Sequence, residues 1–205
     1  MNYNILSESR REFIPYFKDF KDSFYLAGGT ALALQIGHRD SVDFDFFSMQ
    51  AFDREKIFKN SEQIFKNYNL TKIKDEDGSL IFLVNKDVQV SFLEYSYNLV
   101  KPLVQSEYMQ LADVIDIGCM KLSAILSRAT FKDYVDLYFI LQNISLGDLL
   151  KYSAVKYPSI DEALILKSLV YFEDVPYEPL MFTQNNEISF EKIKYFLSDE
   201  VKKQI

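Results

Sequence analysis

The chain of 205 residues has no tryptophan, one cysteine (Cys119), one histidine (His38), five prolines and six glycines. A single cysteine excludes an internal disulfide and fits a reducing compartment. No apolar run is long enough to cross a bilayer as a helix. The opening residues, MNYNILSESRREF, lack the apolar centre of a secretory signal. From these absences we expect a soluble, cytoplasmic protein with no membrane partner. Positive charge is also scarce. The 23 Lys and Arg against 30 Asp and Glu leave a net charge of −7, which argues against a broad electrostatic grip on nucleic acid. It leaves room for a local one.

What the chain has in quantity is core. Apolar residues make up 48%, with 18 Phe and 14 Tyr, enough for one large domain or a domain with a helical extension. We assign most aromatics to that core. No tandem repeat or low-complexity linker divides the sequence.

Taken in order, residues 5–22 mix apolar and charged positions as an amphipathic helix does, interrupted or begun near Pro15. Phe24–Ala27 reads as a buried strand, Thr30 to about Ile36 as a helix ended by Gly37, and 42–48 as a second strand. Residues 53–68 have helical spacing, 70–75 strand character, and 79–85 and 87–95 alternate as two more strands around Asn85-Lys86-Asp87. Past Tyr97 strand signals fade, and helices are predicted over 111–126, 131–141, 146–157, 159–172 and 189–204. The expected architecture is α+β: a mixed β-sheet with helices in residues 1–100, then a helical half, 101–205, packed on it.

Polar chemistry concentrates in Leu26–Phe47, LAGGTALALQIGHRDSVDFDFF. Gly28 and Gly29 let the backbone turn sharply and approach a ligand without a Cβ in the way. Thr30 is placed to cap the following helix, so that free amides and the helix dipole face a phosphate. Asp43 and Asp45 are two apart on the expected strand and leave the same face. Two carboxylates so placed repel unless a cation lies between them. Few oxygen ligands of this kind suit Mg²⁺, or Mn²⁺, held jointly with substrate phosphates. Arg39 is better suited to a phosphate than His38, and Ser41 can reach a triphosphate or the metal-bound acid.

Gly28-Gly29-Thr30 followed by His38-Arg39-x-Ser41-x-Asp43-x-Asp45 resembles the signature of the nucleotidyltransferase superfamily typified by DNA polymerase β. More closely it resembles the AbiEii abortive-infection nucleotidyltransferase toxins, members of bacterial toxin–antitoxin pairs. A second, weaker match lies at Lys121–Tyr138. The resemblance implies a nucleotidyltransferase-like fold, an NTP substrate, and a nucleotidyl group moved to an acceptor hydroxyl of RNA, tRNA in particular, or of a protein. It also implies a separately encoded antitoxin. By the same resemblance, Lys121 neutralises triphosphate charge. Asp133 or Asp136, which share a helix face, holds a base or positions the acceptor; Asp136 fits the pattern better. One departure stands out. The superfamily's third carboxylate would fall on the strand over 87–95, where the matching position is Ser91 and where Glu94 faces the other way unless a bulge intervenes. That departure motivates the alternative of a degenerate relative that binds nucleotide or a partner without turnover.

Overall fold

The computed structural model describes residues 1–183 and 185–205 and resolves into two compact units. The first comprises Met1–Ile36, Ser41–Asn98 and Leu103–Ala112; the second comprises Gly37–Asp40, Leu99–Pro102 and Asp113–Ile205.

The first unit is built on a mixed sheet of seven strands: β1 (Tyr25–Ala27), β2 (Phe44–Ser48), β3 (Leu70–Glu76), β4 (Ser79–Val84), β5 (Val88–Glu94), β6 (Val104–Gln105) and β7 (Gln110–Leu111). They lie in the order β3-β4-β5-β2-β1-β7-β6. The two-residue β6 and β7 are an addition to the sequence reading, since pieces this short carry no period of their own. β7 runs parallel to β1. Asn85 and Lys86 take φ of 52° and 63°, the left-handed pair that a tight hairpin between β4 and β5 requires.

One face of this sheet is the core. Phe44, Phe46, Phe82 and Phe92 are all buried there. Phe17 packs on Phe44 and Phe46, Phe20 on Phe92, and Phe58 on Phe82. For the residues that cover this face, 5–22, the spacing predicts an amphipathic helix interrupted or begun near Pro15. They form instead a 3₁₀ turn (Tyr3–Ile5), a single helical turn α1 (Glu8–Arg11) and a 3₁₀ stretch (Ile14–Phe20). Pro15 lacks an amide for α-helical pairing, and the tighter 3₁₀ winding still buries Ile14, Phe17 and Phe20 together. The other helices of the unit are α2 (Gly28–Ile36) and α3 (Arg54–Ile64), the latter capped by Asp53 accepting from the Lys56 amide.

The second unit is helical: α4 (Val114–Ser127), α5 (Phe131–Ile140), α6 (Leu146–Lys156), α7 (Glu162–Leu169) and α8 (Phe190–Lys202). Asp113, Ser145, Asp161 and Ser189 each accept a backbone N–H at a helix start, the signal that sets these boundaries. α4 is central and packs on α5, α6 and α7. Cys119 on α4 is fully buried, and burial pushes its thiol up to about 12, which leaves it inert at neutral pH. No helix among the described residues is long and apolar enough to cross a membrane.

Candidate active site

In the first unit the glycine turn and the acid pair come together. β1 ends at Ala27, and Gly28 opens α2 with φ of +71°, a conformation that side chains rarely adopt. A Cβ added to Gly28 would lie 3.5 Å from Asp45 Oδ2. Asp45 is held on both sides, since its backbone pairs with Ala27 on β1 and with Ser91 on β5. Directly opposed residues share a face, so Ser91 stands beside Asp45 where a third carboxylate would be. Ser91 is 1% exposed. Glu94, three residues on, pairs with Ser48 in an unshifted register, leaves the opposite face and is exposed. No bulge turns it inward.

Two details of the sequence reading change here. Thr30 is not the cap of α2, because the helix starts two residues earlier at Gly28. Its hydroxyl donates instead to the Asp43 carbonyl, and Ser41 Oγ lies 2.8 Å from the same Thr30 oxygen. A buried hydroxyl takes the carbonyl within reach rather than leave it unsatisfied. Asp43, expected within the strand, precedes it, since β2 begins at Phe44. Asp45 is therefore placed by ladder bonds and Asp43 by side chains that grip its loop.

The second unit contains a buried ionic cluster around Asp136, which is 0% exposed. Its Oδ1 accepts from Arg39 Nε at 2.7 Å and His38 Nε2 at 2.8 Å. Its Oδ2 accepts from Arg39 Nη2 at 2.9 Å and meets Lys121 Nζ at 2.5 Å. Lys121 also donates to Asp133 Oδ1 at 2.9 Å, and Thr130 and Arg128 donate to Asp133 as well. Residues 37–40 are clasped from another side: Phe182 bridges Arg39, the Asp40 amide donates to the Met181 carbonyl, and the Thr183 hydroxyl donates to the Gly37 carbonyl at 2.6 Å.

The charges follow from these contacts. Burial raises the Asp136 carboxyl, but Lys121, Arg39 and His38 outweigh it and hold the group well below its usual range. Burial likewise works against Asp133, which Lys121, Thr130 and Arg128 bring below its ordinary value. Burial lowers Arg39, and attraction to Asp136 reverses that into a net rise. His38 is lowered, chiefly by burial and against the pull of Asp136, so it is neutral at pH 7. It donates from Nε2, and its buried Nδ1 has no hydrogen-bond partner among the described residues. With both oxygens taken by cations, Asp136 is not poised to accept a proton.

Sequence reasoning picked out Lys121, Asp133 and Asp136 without seeing that His38 and Arg39 converge on Asp136 from about a hundred positions away. The available signal was an acid in FKDYVDLYFI, a helix whose remaining face is apolar: such an acid needs a buried cation. Cleft size does not locate the site. A cleft of about 570 Å³ bounded by Phe24, Ser48, Phe52 and Leu103 lies toward the start of β1 and the end of β2, away from Gly28 and Asp45. Among the described residues no three His, Cys, Asp or Glu side chains converge as a metal set.

Residues 16–199 match a family described as the nucleotidyl transferase AbiEii toxin of type IV toxin–antitoxin systems. The chain belongs to the AbiEii nucleotidyltransferase family. A relative from Aquifex aeolicus (strain VF5), the uncharacterized protein aq_aa25, is 38% identical over 187 residues, covering 88% of this chain and 87% of that one. Among solved structures, MenT4, a nucleotidyltransferase toxin of Mycobacterium tuberculosis H37Rv, superposes with a TM-score of 0.64 at 14% identity over 94% of this chain and 80% of its own. JHP933 from Helicobacter pylori gives 0.60 at 17% identity over 96% and 92%. At these identities the two structures speak for the fold, and the family match for the activity. This AbiEii-type protein is thus a nucleotidyltransferase of a toxin–antitoxin family, and its α+β fold is the one the first motif implied.

Proposed function

We propose that this nucleotidyltransferase moves a nucleotidyl group from an NTP to an acceptor hydroxyl in a Mg²⁺- or Mn²⁺-dependent reaction. The carrying observation is the approach of the Asp45 carboxylate to the Gly28 backbone, at a place a Cβ would fill. It joins a phosphate cradle to a metal-ligating acid. Asp43 and Asp45 are the metal ligands. Two carboxylates suit one hard cation shared with the triphosphate, which when bound polarises the phosphoryl oxygens. The amides of Gly28, Gly29 and Thr30 at the start of α2 receive phosphate oxygens, and Ser41 lines the same turn. Within the second unit Asp136 holds the Lys121 and Arg39 cations in place and is not itself the base.

Ser91 leaves the pair without the carboxylate that would deprotonate the acceptor, whose unperturbed pKa lies far above 7. Slow transfer by the isolated protein follows. The acceptor is a hydroxyl of RNA, tRNA in particular, with a protein hydroxyl as the other outcome of the test. A separately encoded antitoxin is the expected neutralising partner. The test is incubation with each α-labelled NTP, total cell RNA and cell protein, with and without Mg²⁺. Label in RNA that disappears with Asp45→Asn supports the proposal. Transfer that persists in Asp45→Asn, or that is indifferent to chelation, overturns it.

A further inference from the structure

The loop that carries Asp43 has a support outside the two motifs. Asp45 lies inside a ladder, whereas Asp43 precedes β2, and hydrogen bonds from two side chains elsewhere in the unit hold residues 41–43. One is the Thr30 hydroxyl. The other comes from the N-terminal arm: Arg10 Nε donates to the Val42 carbonyl at 3.2 Å. The arm is itself fixed. Ile5 and Leu6 are buried, the Asn2 amide donates to the Leu34 carbonyl at 2.7 Å, and Asn2 Nδ2 donates to the Gln35 carbonyl at 3.0 Å. Arg10 is steadied by the Ser7 hydroxyl at 3.1 Å and by Asp87 at 3.5 Å. The arm therefore holds the C-terminal end of α2 and the Asp43 loop at once. The family match begins at residue 16, so Asn2 and Arg10 belong to neither family motif.

We propose that Arg10 is a positioning residue for the nucleotidyl-transfer site: through the Val42 carbonyl it sets where the Asp43 carboxylate stands relative to Asp45. The inference rests on the metal-ligand role proposed above for the two aspartates. Geometry decides it more than charge, because a guanidinium offers several N–H groups in a fixed plane and can hold Val42, Ser7 and Asp87 together. A lysine in its place can reach the carbonyl with a single donor and restores part of the effect.

The test uses the full chain, with Arg10→Met, Arg10→Lys and Asp45→Asn beside the wild type. Mn²⁺ binding is followed by electron paramagnetic resonance in the presence of each α,β-methylene NTP, so that no acceptor is needed. Thermal denaturation is run in parallel. Arg10→Met is expected to unfold near the wild-type temperature, since Val42 is exposed and water can satisfy its carbonyl. Its Mn²⁺ affinity should fall about tenfold, with Arg10→Lys in between, because a ligand misplaced by a fraction of an ångström forfeits much of its effect. Asp45→Asn should add no protein-bound Mn²⁺ beyond what the nucleotide holds in solution. Binding by Asp45→Asn equal to wild type would defeat the site reading. Loss in Asp45→Asn with wild-type affinity in both Arg10 variants would defeat the arm inference alone. Should Arg10→Met fail to fold, Arg10→Lys decides: an unchanged affinity overturns the proposal.

Discussion

Gly28 has little freedom to vary. Its φ of +71° strains any side chain, at a cost of about 1–2 kcal/mol, and the added methyl would also sit against Asp45. Gly28→Ala is expected to lower the melting temperature modestly and to remove transfer almost entirely, so thermal denaturation and the label-transfer assay should diverge. Asp136 should behave in the opposite way. Asp136→Asn leaves Arg39 and Lys121 without their shared counter-charge in a buried setting, a change that costs about 3–5 kcal/mol. We expect urea titration to show a large loss of stability, whereas Asp45→Asn keeps the fold and loses the activity. An Asp136→Asn protein as stable as the wild type would mean that the cluster contributes nothing to the second unit. The two kinds of aspartate are alike in sequence and differ only in what surrounds them.

Strand register accounts for the missing carboxylate. β2 and β5 run parallel with Asp45 opposite Ser91, and no shift interrupts the pairing from Phe44↔Val90 to Ser48↔Glu94. A one-residue slip would set Val90 or Phe92 opposite Asp45 and turn the whole face, so no register within one step brings an acid there. Ser91→Asp would therefore place a third acid beside Asp45. Without metal it should lower the melting temperature, because the position is buried and the charges repel. MnCl₂ with ATP should then raise it by more than in the wild type, and transfer should speed up. An equal shift in the two proteins would show that the side chain at 91 does not reach the metal. Element boundaries were legible where a period and a cap coincide, as at Asp53, Ser145 and Ser189; the helix expected from residue 111 starts only after Asp113, because Leu111 is taken up by β7 beside β1. Boundaries were not legible in the first twenty residues, where Pro15 breaks the helical bonds while the apolar positions keep a helix-like spacing. β6 and β7 escaped for a different reason: two residues have no alternation to read, and their pairing with β1 is a long-range choice.

Acid stability should expose the whole balance. Asp133 and Asp136 have folded values below their unfolded ones, so their contribution is full above the ordinary carboxylate range and is lost as pH falls through the folded values. His38 is also lowered on folding, so the unfolded chain takes up its proton first and stability begins to decline below about pH 6.5. Denaturant midpoints should thus be flat from neutrality down to about pH 6.5, fall gently below it, and drop steeply only under about pH 4. Asn at position 38 should remove the gentle part alone. The sequence by itself determined the α+β class, the glycine turn and the nearness of Asp43 to Asp45, because each is written in neighbouring residues, while the departure at Ser91 is visible only against the family's pattern. Only the tertiary structure decided that Thr30 grips the Asp43 loop, that Arg10 reaches Val42, and that His38, Arg39 and Lys121 meet on Asp136. Those partners are up to 98 positions apart, and what selects them is the cost of burying an unpaired charge or hydroxyl, which acts only once the chain has closed around it.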